Sequence, residues 1–152
     1  MNIGERIRFF RKRKHMTQKQ LGMLIGFSDN SAEIRIAQYE AGTRKPKEKL
    51  TAAIAKVLGV SPLALSIPEI DDPLKLLHTL FALEDTYGEW IEGHKGNVAL
   101  HFDPYNNQDA ARLFVMLCEW RDQYEKRLNG KISKEEYDNW RYNYSDIGGG
   151  VQ

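Results

Sequence analysis

Residues 17–42 read TQKQLGMLIGFSDNSAEIRIAQYEAG, and their local signals define two helices joined by a turn. Thr17 is followed three residues later by Gln20. In that arrangement a hydroxyl accepts from a first-turn amide while the glutamine side chain reaches back to the amide of the cap. The spacing predicts a helix starting at Gln18. Leu21, Leu24 and Ile25 recur at three- and four-residue intervals, and Gly26 tolerates the positive φ at which such a helix stops. A second helix is predicted from Asn30 as cap, with Glu33 at the third helical position. Ile36 and Tyr39 are its inward pair, which leaves Ser31, Ile34, Arg35 and Gln38 on other faces.

The flanks extend this pattern. Ile3, Ile7 and Phe10 mark the inward stripe of an entry helix whose other surfaces carry Arg6, Arg8, Lys12, Arg13 and Lys14. Beyond Gly42, Pro46 is compatible with a helix start. Leu50, Ile54, Val57 and Leu58 share one face before Gly59 stops that helix, and Ser61-Pro62 opens a short turn of helix toward Ile67. Residues 1–67 therefore read as a five-helix domain.

This stretch resembles the lambda-repressor and Cro-like helix-turn-helix family, also called the xenobiotic-response-element (XRE) family. The residues that carry the resemblance are Ile3-Gly4-Glu5-Arg6-Ile7-Arg8 with Arg11, Thr17-Gln18, Gln38-Tyr39-Glu40-Ala41-Gly42, Arg44-Lys45-Pro46 and the run Ile54 to Ser61. Their order and spacing make the match specific over roughly residues 3–67. One departure stands out: about four more residues separate Gly26 from Ile36 than in the common family pattern. Either the turn is longer or the second helix starts earlier.

The resemblance implies sequence-specific binding of double-stranded DNA. It puts Ser31, Ile34, Arg35 and Gln38 at base edges, and arginine and glutamine are well shaped for paired hydrogen bonds to guanine and adenine. Gln18, Asn30, Thr43, Arg44, Lys45 and Lys47 fall where phosphate contacts are made, fixing position rather than sequence. For Asn30 capping is the alternative role. Arg11 and Glu40 match a family ion pair that locks the first helix to the third.

Charge supports this division. Residues 1–68 hold 13 Lys and Arg against 5 Asp and Glu, a net +8, whereas residues 69–152 hold 9 against 16, a net −7. A basic half suits contact with phosphates, which releases counterions and makes binding salt-dependent.

The second half reads as a small α+β domain over residues 73–147, after a linker at 68–72 and before a tail at 148–152. Asp72-Pro73 opens a helix with Leu74, Leu77, Leu80 and Phe81. Trp90-Ile91 and the alternating Val98, Leu100 and Phe102 form a hairpin. A helix from about Asn107 to Leu128 follows, and the Ser133/Glu136 capping box starts a last one. The whole chain is thus expected to be mainly α. Leu113, Leu117, Trp120, Tyr124, Tyr137 and Trp140 are candidates for a homodimer interface, with packing inside one chain as the alternative. Trp120, Tyr137, Trp140, Tyr142 and Tyr144 also admit a pocket for a protein or small-molecule effector.

Other functions find little support. His15, His78, His94, His101 and Cys118 lack the close spacing of a metal site, no phosphate-cradling glycine loop or nucleophile constellation is present, and no cofactor is implied. A single cysteine and the absence of a long apolar run fit a cytoplasmic, non-membrane protein, and the scattered carboxylates with no nucleophile constellation point away from an enzyme. The expected function is a transcriptional regulator, a repressor that binds operator DNA as a homodimer. The rival reading is an antitoxin or phage-type inhibitor whose acidic half binds another protein while the DNA-binding half regulates its own operon.

Overall fold

A computed structural model describes residues 1–68, 72–94 and 96–144. Eight α-helices and one hairpin appear among them. They are α1 (Ile3–Arg13), α2 (Gln18–Leu24), α3 (Asp29–Glu40), α4 (Glu48–Leu58), α5 (Pro62–Leu65), α6 (Pro73–Tyr87), β1 (Glu89–His94), β2 (Asn97–Phe102), α7 (Gln108–Leu128) and α8 (Lys134–Asn143). The chain is mainly helical, as the sequence implied. No helix among the described residues is long and apolar enough to cross a membrane. Residues 69–71 of the expected linker and all of the expected tail lie outside the described residues.

Contacts divide the chain into two units, Met1–Glu69 with the segment from Asp138 onward, and Ile70–Tyr137. In the first unit, Ile7, Phe10, Leu21, Ile36, Ile54, Leu58 and Leu65 are each at most 2% exposed and form a single core. The pair α2–α3 sits on this core at close range. A Cβ on Gly22 would stand 2.6 Å from the Ala32 carbonyl oxygen, so only glycine allows this approach. Thr17 caps α2 through the full reciprocal box with Gln20, at 3.0 and 2.7 Å.

The domain boundary differs from the one read in the sequence. The later part of α8, expected to belong with residues 73–147, packs in the first unit as an additional helix. The Tyr142 ring meets Phe10 edge-on at 4.8 Å, and its carbonyl accepts from Ser61 N at 2.9 Å. Asp138, with a side chain 2% exposed, takes Arg13 Nη1 at 2.9 Å and Arg141 Nε at 3.0 Å. Start positions shift as well: α4 begins at Glu48, two residues after Pro46, with Lys47 as its cap residue.

In the second unit β1 and β2 pair antiparallel, with Glu89 opposite Phe102, Trp90 opposite His101 and Ile91 opposite Leu100. Asn107 caps α7, and Ser133 and Glu136 close the box at the start of α8. The apolar stripes of this unit, read in the sequence as a homodimer interface with packing inside one chain as the alternative, are left exposed or half-buried apart from Ala110 and Tyr137. No residue of α6 is buried, and in α7 only Ala110 is.

Candidate nucleic-acid interface

The turn between α2 and α3 is short. Ile25 is the cap residue of α2, Gly26 takes φ +91° and α3 already begins at Asp29. The additional residues noted in the sequence therefore lengthen α3 by one turn at its N-terminus instead of enlarging the loop. This corrects the expected cap: Ser28 is the cap residue, without a side-chain cap bond, and Asn30 is the second residue of the helix and exposed. Ser28 Oγ lies 2.8 Å from Ser31 Oγ, which holds Ser31 locally and half-buried. Lys19 Nζ reaches Asp29 at 2.8 Å and ties α2 to the new first turn.

Ala32, Ile36 and Tyr39 point inward, each at most 8% exposed, so the opposite face of α3 is open. Ile34 is 60% exposed there, and Arg35 is exposed beside it. The Arg35 guanidinium lies 4.3 Å from the centre of the Phe27 ring, a cation-π contact that holds a long side chain on the outer surface. Phe27 was not singled out in the sequence. A lone aromatic in a predicted turn carries no spacing signal, and its role depends on how far α3 extends.

Gln38 is not fully outward. It is half-buried, and its Oε1 is covered and reaches no donor. Its carbonyl accepts from Thr43 Oγ1 at 3.0 Å and from Arg44 N at 3.3 Å, which folds the following loop back over the end of α3. Thr43, Arg44, Lys45 and Lys47 are all exposed on this loop.

Beneath this surface Arg11 Nε and Nη2 donate to the two oxygens of Glu40 at 2.6 and 2.8 Å, and Arg11 Nη1 donates to Met16 O at 2.7 Å. The bond to Glu40 holds the Arg11 guanidinium above its ordinary pKa, more strongly than burial lowers it. Gln18 Nε2 also donates to Glu40, at 2.8 Å, so its amide nitrogen is engaged inside the protein. An open hollow of about 560 Å³ lies over this pair, with Arg8, Thr17, Gln18 and Glu33 in its lining.

The cations of α1 are less available than their number suggests. Arg6 donates to the Ala64 carbonyl, lies 5.4 Å from the Phe10 ring centre, and has its pKa lowered chiefly by burial. Arg13 is taken by Asp138, and Lys14 Nζ reaches Val57 O at 3.3 Å. Arg8 and Lys12 remain exposed. Net charge cannot distinguish a phosphate anchor from an arginine that supports a neighbouring helix.

The dimer candidates separate likewise. Tyr137 is 5% exposed and its hydroxyl accepts from Trp120 Nε1 at 2.7 Å, so burial within its own unit withdraws it from an outer surface. Trp120 and Tyr124 are 53% and 43% exposed, and Leu113, Leu117 and Trp140 are half-buried. Of the aromatic cluster named above, Trp140 packs on Tyr144 at 5.2 Å and Tyr142 on Phe10 at 4.8 Å.

The helix-turn-helix family model matches residues 7–65. Among solved structures, the transcriptional regulator BswR is 31% identical, with 55% of this chain and 94% of that one covered and a TM-score of 0.43. The P22 c2 repressor protein, solved with a synthetic operator, is 32% identical, with 45% and 98% covered and a TM-score of 0.40. No curated protein is matched.

Proposed function

This chain belongs to the helix-turn-helix family of DNA-binding regulators through residues 7–65, and from that premise we propose that it reads operator DNA with α3, as a homodimer, and represses by occupying a promoter. The observation that carries the reading is the open face of α3. Ile34 and Arg35 stand exposed on a helix anchored by Ile36 and Tyr39, and the cationic loop Thr43 to Lys47 bonds back to Gln38 near the end of the same helix.

In this reading Arg35, held by Phe27, donates to a guanine edge in the major groove, and Ile34 packs against a thymine methyl. The first turn of α3 brings Asn30 and Ser31 toward the duplex. Gln38 Oε1 has no donor in the free protein, a condition that costs about 1–3 kcal/mol for a buried polar group. Turning out to an adenine amino group relieves it. Arg44, Lys45 and Lys47 grip phosphates with Thr43, and two copies on two half-sites add their contacts.

The test separates grip from reading. Lys45→Ala is expected to weaken cognate and scrambled duplexes alike and to lower the salt slope by about 1, whereas Arg35→Ala costs about 1–3 kcal/mol on cognate DNA alone. Fluorescence anisotropy titrations at several salt concentrations measure both. Equal losses on both duplexes for both variants would refute the division of roles.

A further inference from the structure

The unit Ile70–Tyr137 leaves apolar side chains exposed on α6, on the hairpin and on α7, where Val115, Trp120 and Leu128 are 57%, 53% and 64% exposed; those of α6 and the hairpin form two continuous faces. On α6, Leu74, Leu77 and Phe81 are 61%, 40% and 47% exposed. On the hairpin, Ile91 and Leu100 oppose each other and Val98 opposes Gly93, so all three share one face, and they are 65%, 42% and 67% exposed. That face is covered only at its inner end, where Glu89 is buried and Phe102 half-buried. A two-stranded hairpin is marginal in water without a packed face. A cover over this face would therefore add stability to the hairpin.

We propose that this unit folds as a reciprocal dimer, in which the Ile91–Val98–Leu100 face of one copy covers the Leu74–Leu77–Phe81 face of α6 in the other. The inference rests on the homodimer reading above and assigns its surface. Three arguments choose a second copy as the occupant. First, a bare helical face and a bare strand face occur in the same chain, and a two-fold axis satisfies both at once, each pairing with the other. Second, the six side chains expose on the order of 600 Å² per copy, so their full burial in two copies would remove at most roughly 1,200 Å², which reaches the lower bound of a specific interface before any polar rim is added. Third, the charge of this acidic half is directed elsewhere. From Pro73 to Leu83 the only Lys, Arg, Asp or Glu is Lys75, and Glu92 lies on the other hairpin face with its Oε2 3.1 Å from His101 Nε2. Glu89 shares the Ile91–Val98–Leu100 face but is 4% exposed at its inner end, so no exposed like charge opposes self-association across these faces.

The test uses the full chain. Wild type is expected to sediment at twice 17.6 kDa. Ile91→Asp is expected to raise the dimer dissociation constant about a hundredfold or more, while Ala99→Asp, on the opposite face of the hairpin, leaves it within about threefold. Because Ile91→Asp also unfolds this unit if its folding is coupled to pairing, disulfide trapping gives an independent reading. In a Cys118→Ser background, chains carrying Leu77→Cys are mixed with chains carrying Leu100→Cys. Cross-linking between the two kinds of chain is expected to dominate over cross-linking within either kind. A monomeric wild type at tens of micromolar, a dimer untouched by Ile91→Asp, or cross-links only between identical positions overturns the proposal. Duplex binding is scored separately. A dimer trapped as described that binds no DNA leaves the interface standing and rejects the operator reading, and a chain that binds DNA with a different interface does the reverse.

Discussion

Residues Met1–Glu69 bury Ile7, Phe10, Leu21, Ile36, Ile54, Leu58 and Leu65 almost completely, whereas among the described residues of Ile70–Tyr137 only Ala110 and Tyr137 are buried apolar side chains. The contrast does not come from composition. The first ten residues of α6, Pro73-Leu-Lys-Leu-Leu-His-Thr-Leu-Phe-Ala82, are richer in large apolar side chains than α1, yet none of them is buried. In the first unit each stripe meets another, with α1, α3, α4 and α5 converging on one cluster. In the second, stripes of equal strength face outward. Apolar periodicity gives the conformation of a segment, and burial requires a surface that faces it.

The strongest way to break this comparison is to disturb what locks the first unit. Arg11→Ala removes three donors and leaves Glu40, 8% exposed, with Gln18 Nε2 as a remaining partner. Stranding a buried carboxylate costs about 3–5 kcal/mol. At about 4–8 °C per kcal/mol for a domain of this size, the calorimetric transition of the first unit falls by more than about 12 °C. Replacing both partners, Arg11→Met with Glu40→Leu, recovers most of the loss because no charge remains buried. An unchanged transition in Arg11→Ala would mean that the lock between α1 and α3 lies in the apolar core alone. DNA binding by the single variant is expected to fail together with folding.

Tyr142→Ala tests where the first unit ends. The ring gives up its edge-on contact with Phe10 at 4.8 Å and the Arg13 guanidinium 5.6 Å from its centre. The side chain is half-buried, so the cost is about 2 kcal/mol, below that of a fully buried aromatic. Urea unfolding followed at the first unit measures it. A loss under about 0.5 kcal/mol would return α8 to the status of a surface appendage.

Much of the first unit was legible because its signals are local. The Thr17/Gln20 box, the stop at Gly26 and the inward pair Ile36 and Tyr39 each need only a few neighbouring residues to define them. The length of α3 was open from sequence, since Asn30 and Ser28 are both acceptable cap residues, and the bond from Ala32 N to the Ser28 carbonyl at 2.9 Å belongs to the earlier start. The docking of α8 was not legible. Tyr142 and Asp138 find partners more than a hundred positions away, and nothing in an aromatic-rich helix names Phe10 or Arg13 as the target. The same limit hid the engagement of Gln18 by Glu40 and the partial burial of Gln38. Arg35, exposed over Phe27, kept its outward position because a long charged side chain is costly to bury.

The finest distinction between the units concerns Glu89. The first unit pairs its buried carboxylates Glu40 and Asp138 with arginines, but both oxygens of Glu89 are covered and without a hydrogen-bond partner. Burial raises the pKa of Glu89 above the ordinary 4.5, and the nearby Glu84 adds to the shift. The side chain is only 4% exposed, yet the surrounding unit is thinly packed, so the shift reflects a light cover rather than a deep interior. A carboxyl group with a raised folded pKa retains its proton longer in the folded state than in the unfolded one. Stability therefore falls as pH rises from below the unfolded pKa through the folded one, and the penalty persists at neutral pH. Glu89→Gln cannot ionise and is expected to stabilise the second unit by about 1 kcal/mol at pH 7, with the gain shrinking toward zero below about pH 3, where wild type is protonated in both states. Denaturant titrations of both proteins at the two pH values measure the difference. A gain that is the same at both would show that desolvation of the charge is not its cause, and would make Glu89 a packing residue of the same kind as the apolar side chains of the first unit.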